Sequence, residues 1–430
     1  MSEKPSRKPD AHISGNRKKE AGNGRPARSE RAQQKPARAS GSRNDTSRGS
    51  SRADGGQAGF ARLQRGLTGG RGLIGEAYME DPELLSAYLD FYWPVSREQA
   101  SRALALSARM MRLRGAKPAG FHRVIDVGSG PGPVAAAFAD SGAAELTLLD
   151  RSPRALELAL REIPRRPALS GSGAVRGVLA GVAEPVLHTL PCDISDPPED
   201  RIPLWGSADC VSFGHSLNEL FAGESGRIEK RCALLERYAR ALAPGGTLLV
   251  IEPALLVTSR DLLAVRNLLV SRGWTVLAPC PGRSRASCLA LEAGPSHTCH
   301  EEISWEIPAR VASLAASLGI DKDSVKMTWF MFAPPVNAPA GVDDSPESGV
   351  WRVVSDPMLN KAGRCRRLIC GVGGRLPLSA RDGSPEAASS GFDALRRGDL
   401  VSLSGTETRE NGLGVCAATR ITAVTKEYEK

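Results

Sequence analysis

Apolar side chains are spread along the chain in four regimes. Residues 1–60 contain only Met1, Ile13 and Phe60 from the set Val, Ile, Leu, Met, Phe, Trp and Tyr. So little apolar surface cannot offset chain entropy, and residues 1–58 are expected to be disordered. Over residues 59–118 the spacing turns helical: "DPELLSAYLDFYWPVSREQASRALALSARMMRLRG" places its apolar residues three and four apart, as one buried helix face requires. Ser96, with Gln99 three residues on, stands in capping-box register and predicts the start of a second helix.

Residues 119–332 alternate short apolar runs with helical stretches. "RVIDVG", "ELTLLD", "PVLHTLP", "ADCVSFG", "TLLVIEP", "WTVLAP" and "SVKMTWFMFAP" predict seven strands, most of the first five followed by a helix. That alternation predicts an α/β fold, a parallel sheet covered on both faces. Between the last two strands lies a cysteine-bearing insertion, 280–324, and 333–349 reads as a Pro/Gly/Ser linker. Beyond it "VWRVVS", "RRLICGV" and "DLVSLS", separated by Gly and Pro, predict a small β-rich C-terminal domain over 350–430.

Length and charge refine the picture. A chain of 430 residues suggests two or three folded units, at roughly 150 residues each. The formal net charge is +9, of which residues 1–60 carry +8, so the folded body is nearly neutral. A basic, flexible arm favours the phosphates of RNA through counterion release; the alternative is a solubilising tail with no partner. No run approaches the roughly 18 apolar residues of a membrane span, so no membrane association is expected. The arm lacks the apolar centre of a secretory signal, and its acids argue against a transit peptide.

The most specific motif is "VIDVGSGPGPVAAAFADSG". A strand ends at Asp126, and Gly128, Gly130 and Gly132 form the turn into a helix, where a ligand can approach the backbone closely. A second strand ends in Asp150, 24 residues on, where a carboxylate can accept both ribose hydroxyls. Ser152 and Pro153 then predict a capped helix start. A third strand closes on Asp193. The order D-x-G-x-G-x-G resembles the first motif of class I S-adenosylmethionine-dependent methyltransferases. The resemblance implies a Rossmann-like sheet of seven strands and S-adenosylmethionine as cofactor, bound by Asp126, Gly128, Gly130, Gly132 and Asp150, with Asp193 at the adenine amino group.

No catalytic residue can be named. Methyltransferases acting on exocyclic amines often carry Asn/Asp-Pro-Pro-aromatic after the fourth strand; here Phe213-Gly214-His215-Ser216 stands there. Cys192 follows Pro191 but closes the third strand, not where a cytosine C5 nucleophile belongs. His215, Asn218 and Glu219 either line a substrate cleft or serve as loop and capping residues.

Nine cysteines without a secretory signal argue for a reducing compartment. Cys210 and Cys232 read as buried core residues. Cys280, Cys288 and Cys299 cluster in the insertion, and Cys365 and Cys370 follow across the linker. Converging thiolates suit zinc or an iron–sulfur cluster, although no Cys-x-x-Cys pair is present. "APCPG…SCL…TCH", then "KMTWFMFAP" and "RRLICGVGG", with "YLDFYWPVS" before and "RRGDLVSL" after, resemble the mitochondrial small-ribosomal-subunit methyltransferase-like family and its bacterial relatives. The likeness runs from about residue 60 to 405.

The resemblance implies a [4Fe–4S] cluster on Cys280, Cys288, Cys299 and Cys370, with Cys365 as the other choice for the fourth ligand. It also implies ribosomal RNA of the small subunit as partner, and a cytoplasmic protein, or one of the mitochondrial matrix if the source is eukaryotic. Arg283, Arg285, Arg364, Arg366 and Arg367 would form a basic rim for phosphates. The chain departs from the family at Gly282, Leu289, Glu301 and Glu302, where His, Pro and an aromatic with a Gln-Arg pair are usual. The expectation is an S-adenosylmethionine-binding factor of ribosome assembly or translation, acting as an rRNA methyltransferase. The alternatives are a non-catalytic assembly factor and a zinc-containing small-molecule methyltransferase.

Overall fold

Alternate residues of the central strands enter different cores. Val124, Leu249 and Ile251 pack on one side of a sheet, Ile125, Leu248 and Val250 on the other. Side chains of a strand alternate in direction, so runs apolar at every position make a sheet buried on both faces. The computed structural model describes residues 50–113, 120–163, 184–282, 287–337 and 349–424. The expected arm up to residue 49, most of the linker, and Arg283 and Arg285 lie outside the described residues.

The seven predicted strands are present: β1 (Arg123–Val127), β2 (Glu145–Asp150), β3 (Val186–Pro191), β4 (Ala208–Gly214), β5 (Leu242–Pro253), β6 (Thr275–Ala278) and β8 (Ser324–Ala333). A further strand, β7 (Glu301–Ser304), arises inside the insertion. The order is β3-β2-β1-β4-β5-β8-β6, with β7 also on β8. The pairs from β3 to β5 are parallel, and β8 runs antiparallel to β5, β6 and β7. This is the Rossmann-like sheet of the class I methyltransferase fold, with one reversed strand slotted beside the centre.

The helices in chain order are α1 (Ser50–Gln64), α2 (Pro82–Ala87), α3 (Trp93–Leu113), α4 (Pro133–Asp140), α5 (Pro153–Glu162), α6 (Arg227–Ala239), α7 (Leu256–Ser271), α8 (Leu289–Glu292), α9 (Ala309–Ser317) and α10 (Pro385–Ser390). Helix α1 begins ahead of the expected boundary near residue 59, extending from a turn anchored by buried Phe60 and Leu63. Ser152 accepts the Ala155 N–H at 3.1 Å, the cap predicted for α5.

Ser96 is not a cap. Helices α2 and α3 run on through a wide π-turn, Tyr88–Tyr92, and Ser96 is buried inside α3. Pro94 lacks an N–H, and its place at the start of α3 lets the wide turn absorb it without ending the helix. The cap that is used is Asp81, whose carboxylate accepts the Glu83 N–H at 2.9 Å ahead of Pro82.

The C-terminal region is a second sheet of β9 (Val350–Val353), β10 (Met358–Leu359), β11 (Arg364–Gly371), β12 (Gly374–Arg381), β13 (Leu400–Ser404), β14 (Glu407–Arg409), β15 (Gly412–Gly414) and β16 (Arg420–Ala423). It has its own core, around Val353, Ile369, Leu378 and Phe392. Among the described residues no helix is long and apolar enough to cross a membrane.

Candidate functional site

The turn between β1 and α4 is drawn onto the tip of β2. The Gly128 and Ser129 N–H groups both donate to the Leu149 carbonyl, at 2.7 and 3.0 Å. The Gly130 N–H donates to Asp150 Oδ2 at 2.8 Å, and the Ser152 N–H to Oδ1 at 2.9 Å. Each carboxylate oxygen keeps a spare lone pair for a ligand. Gly128 has φ +68°, and a Cβ there would lie 2.4 Å from Ser216 Cβ, so this position is closed by packing. At Gly130 the nearest atom is Met79 Cε, 3.4 Å from where a Cβ would stand.

Asp126 sits beneath the loop. It is 1 % exposed, accepts Ser212 Oγ at 2.7 Å and the Ala135 N–H at 3.2 Å, and so braces β1 against β4 and α4. Burial pushes its carboxyl up to about 7. Asp193, after β3, is exposed and turned onto Ser195, accepting its N–H at 2.8 Å and its hydroxyl at 2.7 Å. Burial, with the charges of Asp150 and Asp193, pushes the neighbouring Cys192 thiol up to about 11, so it is no ready nucleophile.

After β4 the chain turns sharply at His215, held at φ +62°, a conformation costly for a residue with a Cβ. Its Nε2 pairs with Gln99 Oε1 at 2.8 Å, and burial, helped by Lys322, pushes the imidazole down to about 4. Asn218 donates to the His215 carbonyl at 2.7 Å and accepts from Arg71 Nη2 at 2.7 Å. Burial holds Glu219 near 7 and Glu252 near 8.

Residues 71–80 cross this mouth as a strap. The Tyr78 hydroxyl and the Gly75 N–H donate to Glu219, at 3.3 and 3.4 Å. Arg151, beside Asp150, donates to the Gly75 carbonyl at 2.7 Å and also to that of Glu76. Ser152 Oγ donates to Glu80. The glycine loop, the β2 and β4 tips and a segment from the N-terminal helices thus come together here.

The family comparison falls on the same residues. Residues 125–250 match the methyltransferase domain. No curated protein matches the chain. Among solved structures, an N-methyltransferase of Bradyrhizobium japonicum is 13 % identical, with a TM-score of 0.31, covering 56 % of this chain and 97 % of that one. Magnesium protoporphyrin IX methyltransferase of Synechocystis is 12 % identical (TM-score 0.30; 56 % and 80 % covered). An arsenic(III) S-adenosylmethionine methyltransferase of Chlamydomonas reinhardtii is 18 % identical (TM-score 0.28; 55 % and 71 % covered). Likenesses at that level carry no argument about what this chain acts on.

The four expected ligand cysteines lie beyond residues 125–250, where β6, the insertion and the second sheet meet. Cys280 follows β6, Cys288 precedes α8, Cys299 precedes β7, and Cys370 lies in β11. Burial and the charges of Cys299 and Cys280 push the Cys288 thiol up to about 12. Cys370 is pushed up to about 12 by burial and by Cys280, Cys299 and Cys288. Cys280, Cys288 and Cys299 pack against the same core, and Cys370 stands opposite Arg352, whose Nη1 donates to Cys299 Sγ at 3.6 Å. Cys365 points the other way: five positions from Cys370 on one strand, it belongs to the core of the second sheet. Among the described residues no three His, Cys, Asp or Glu side chains are drawn together as a single bound ion requires.

Gly282 and Glu301 acquire a reason here. A Cβ at Gly282 would lie 3.1 Å from the Gly371 carbonyl oxygen and 3.2 Å from Val372 Cα, so the Cys280 loop meets the turn after Cys370 backbone to backbone. Glu301 turns inward, 2 % exposed, and pairs with Arg352. The expected basic rim is smaller than predicted: Arg366 is exposed, but Arg367 is 7 % exposed and lies over the Phe392 ring. The strap and Arg352 carry no sequence motif. The one signal for Arg352 was a charged residue between apolar neighbours in "VWRVV".

Proposed function

We propose that this protein binds S-adenosylmethionine above the glycine loop and methylates RNA of the small ribosomal subunit during its assembly. We further propose that Cys280, Cys288, Cys299 and Cys370 hold a structural [4Fe–4S] cluster. The observation that carries the first part is the Asp150 carboxylate, seated on the Gly130 N–H at the tip of β2 within the region matching the methyltransferase domain. With its spare lone pairs Asp150 would take the ribose hydroxyls. The loop from Gly128 to Gly132 would pass the methionine, and Asp193 the adenine amino group. Bound there, the cofactor supplies an electrophilic methyl on a sulfonium. Asp126 keeps the loop in place, and His215 stays neutral at pH 7.

Burial pushes the Cys288 and Cys370 thiols up, so forming their thiolates without a metal is costly. A metal centre that binds thiolates removes that cost, and an all-sulfur donor set suits iron–sulfur or zinc. The family resemblance supports the cluster. RNA as substrate rests on the same resemblance and on the basic residues 1–60.

A second reading is favoured by Phe213-Gly214-His215-Ser216, which stands where an amine methyltransferase signature belongs. On that reading the protein binds cofactor and ribosomal precursor without turnover. The deciding experiment gives anaerobically purified protein methyl-labelled S-adenosylmethionine and small subunits from cells lacking it, with Asp150→Ala as control. Label in the RNA that vanishes with Asp150→Ala supports the methyltransferase. No label from protein that binds its cofactor supports the assembly factor.

A further inference from the structure

Arg352, in β9, is enclosed at 3 % exposure although it carries a full charge. Its Nη2 pairs with Glu301, and its Nη1 donates to Cys299 Sγ at 3.6 Å. In the antiparallel pairing of β9 with β11, Arg352 stands directly opposite Cys370. Residues directly opposite on neighbouring strands project to one face. One guanidinium therefore touches a thiol of the insertion and stands beside a thiol of the second sheet, which reaches the site from across the linker.

The surroundings are shaped to admit this pair. Gly398 has φ +92°, and a Cβ there would lie 2.1 Å from Glu301 Oε1. The Gly398 N–H donates to the Val353 carbonyl at 2.8 Å, next to Arg352 in β9. A buried ion pair is a poor source of stability, because desolvation offsets its attraction. Its placement is better explained by what the spare donor faces. Glu301 takes Nη2 and leaves Nη1 for sulfur.

We propose that Arg352 is a positioning residue of the cysteine site, orienting Cys299 and offsetting the negative charge of four metal-bound thiolates. This rests on the cluster reading above. N–H···S contacts and nearby positive charge stabilise the reduced form of such centres and slow their loss.

The test compares wild type, Glu301→Gln, Arg352→Lys, and the double variant Arg352→Gln with Glu301→Gln, which removes both charges and leaves none buried alone. Circular dichroism checks the fold, iron and sulfide are assayed, iron loss to a chelator is timed, and the midpoint potential is followed by electron paramagnetic resonance. The double variant is expected to lose iron about 10- to 100-fold faster, with a more negative midpoint, while Glu301→Gln keeps the wild-type rate. Arg352→Lys, which keeps the charge but loses the fork, should lose iron faster at a midpoint close to wild type; it reports even if the double variant does not fold. Wild-type rate and midpoint in the double and Lys variants would overturn the inference and leave the cluster standing. Glu301→Gln losing iron as fast as the double variant would assign the effect to the carboxylate and overturn it too. Wild-type protein without iron and sulfide would overturn the cluster reading and this inference with it.

Discussion

The Tyr78 hydroxyl donates to Glu219 Oε1 at 3.3 Å. The two residues are 141 apart in sequence, one in the segment after the first helix and one in the turn after β4, and their contact holds the strap over the pocket. Tyr78→Phe removes the bond and keeps the ring. Losing about 1 kcal/mol from the closed strap should weaken cofactor affinity by about fivefold in calorimetry and speed hydrogen exchange over residues 71–80. Unchanged affinity and exchange would show that the strap is held by its other contacts, those of Arg71, Gly75, Arg151 and Ser152.

The pocket carboxylates set a pH dependence. Burial raises Asp126 and Glu219 to about 7 and Glu252 to about 8, with Arg151 pulling on Glu219 and Arg231 on Glu252 in the opposite direction. In the unfolded chain these groups titrate near 4. The folded state therefore binds more protons between about pH 4 and 8, and stability falls as pH rises through 7 to 8. The melting temperature of cofactor-free protein should drop from pH 6 to 8.5. Glu252→Gln should flatten that drop, and an equal slope in the variant would remove Glu252 from the account.

Cys365 and Cys370 separate cleanly in a metal assay. Cys370→Ser should abolish iron and sulfide binding and lower the melting temperature. Cys365→Ser should leave both contents unchanged, because that thiol faces the core of the second sheet. Equal loss in the two variants would contradict the placement.

The glycine turn after β1 and Asp150 at the end of β2 were legible because their signals are local: an apolar run, a turn residue and a cap within a few positions. Ser96 misled for the same reason. Capping-box spacing is local, but the wide turn at Tyr88–Tyr92 carried the helix past it. Arg352 and Glu301 were out of reach because their meeting depends on how β9 registers against β11 and how β7 joins β8. The strap, "RGLIGEAYME", has no period to read, and only its partners on β2 and β4 give it meaning. Asp126 was expected to touch cofactor; its position in the motif matched, but which way its carboxylate faced was fixed by Ser212, 86 residues away.

The start of α1 sets where the basic arm can be removed. Deleting residues 2–49 leaves Ser50–Gln64 whole and takes away nearly all the excess positive charge. The truncated protein should melt at the full-length temperature, and its RNA affinity should fall less steeply with salt. An identical salt slope would leave the arm without an RNA role.

Strand β8 lies between β5 and β6, yet it is made last. During synthesis the flank of β5 stays open until residue 333 has emerged, while the whole insertion passes by. An uncovered β5 edge, which carries "LLVIEP", is a template for pairing with another chain. Nascent or clipped products ending before Ser324 therefore carry a sheet left open at its centre, beside β5.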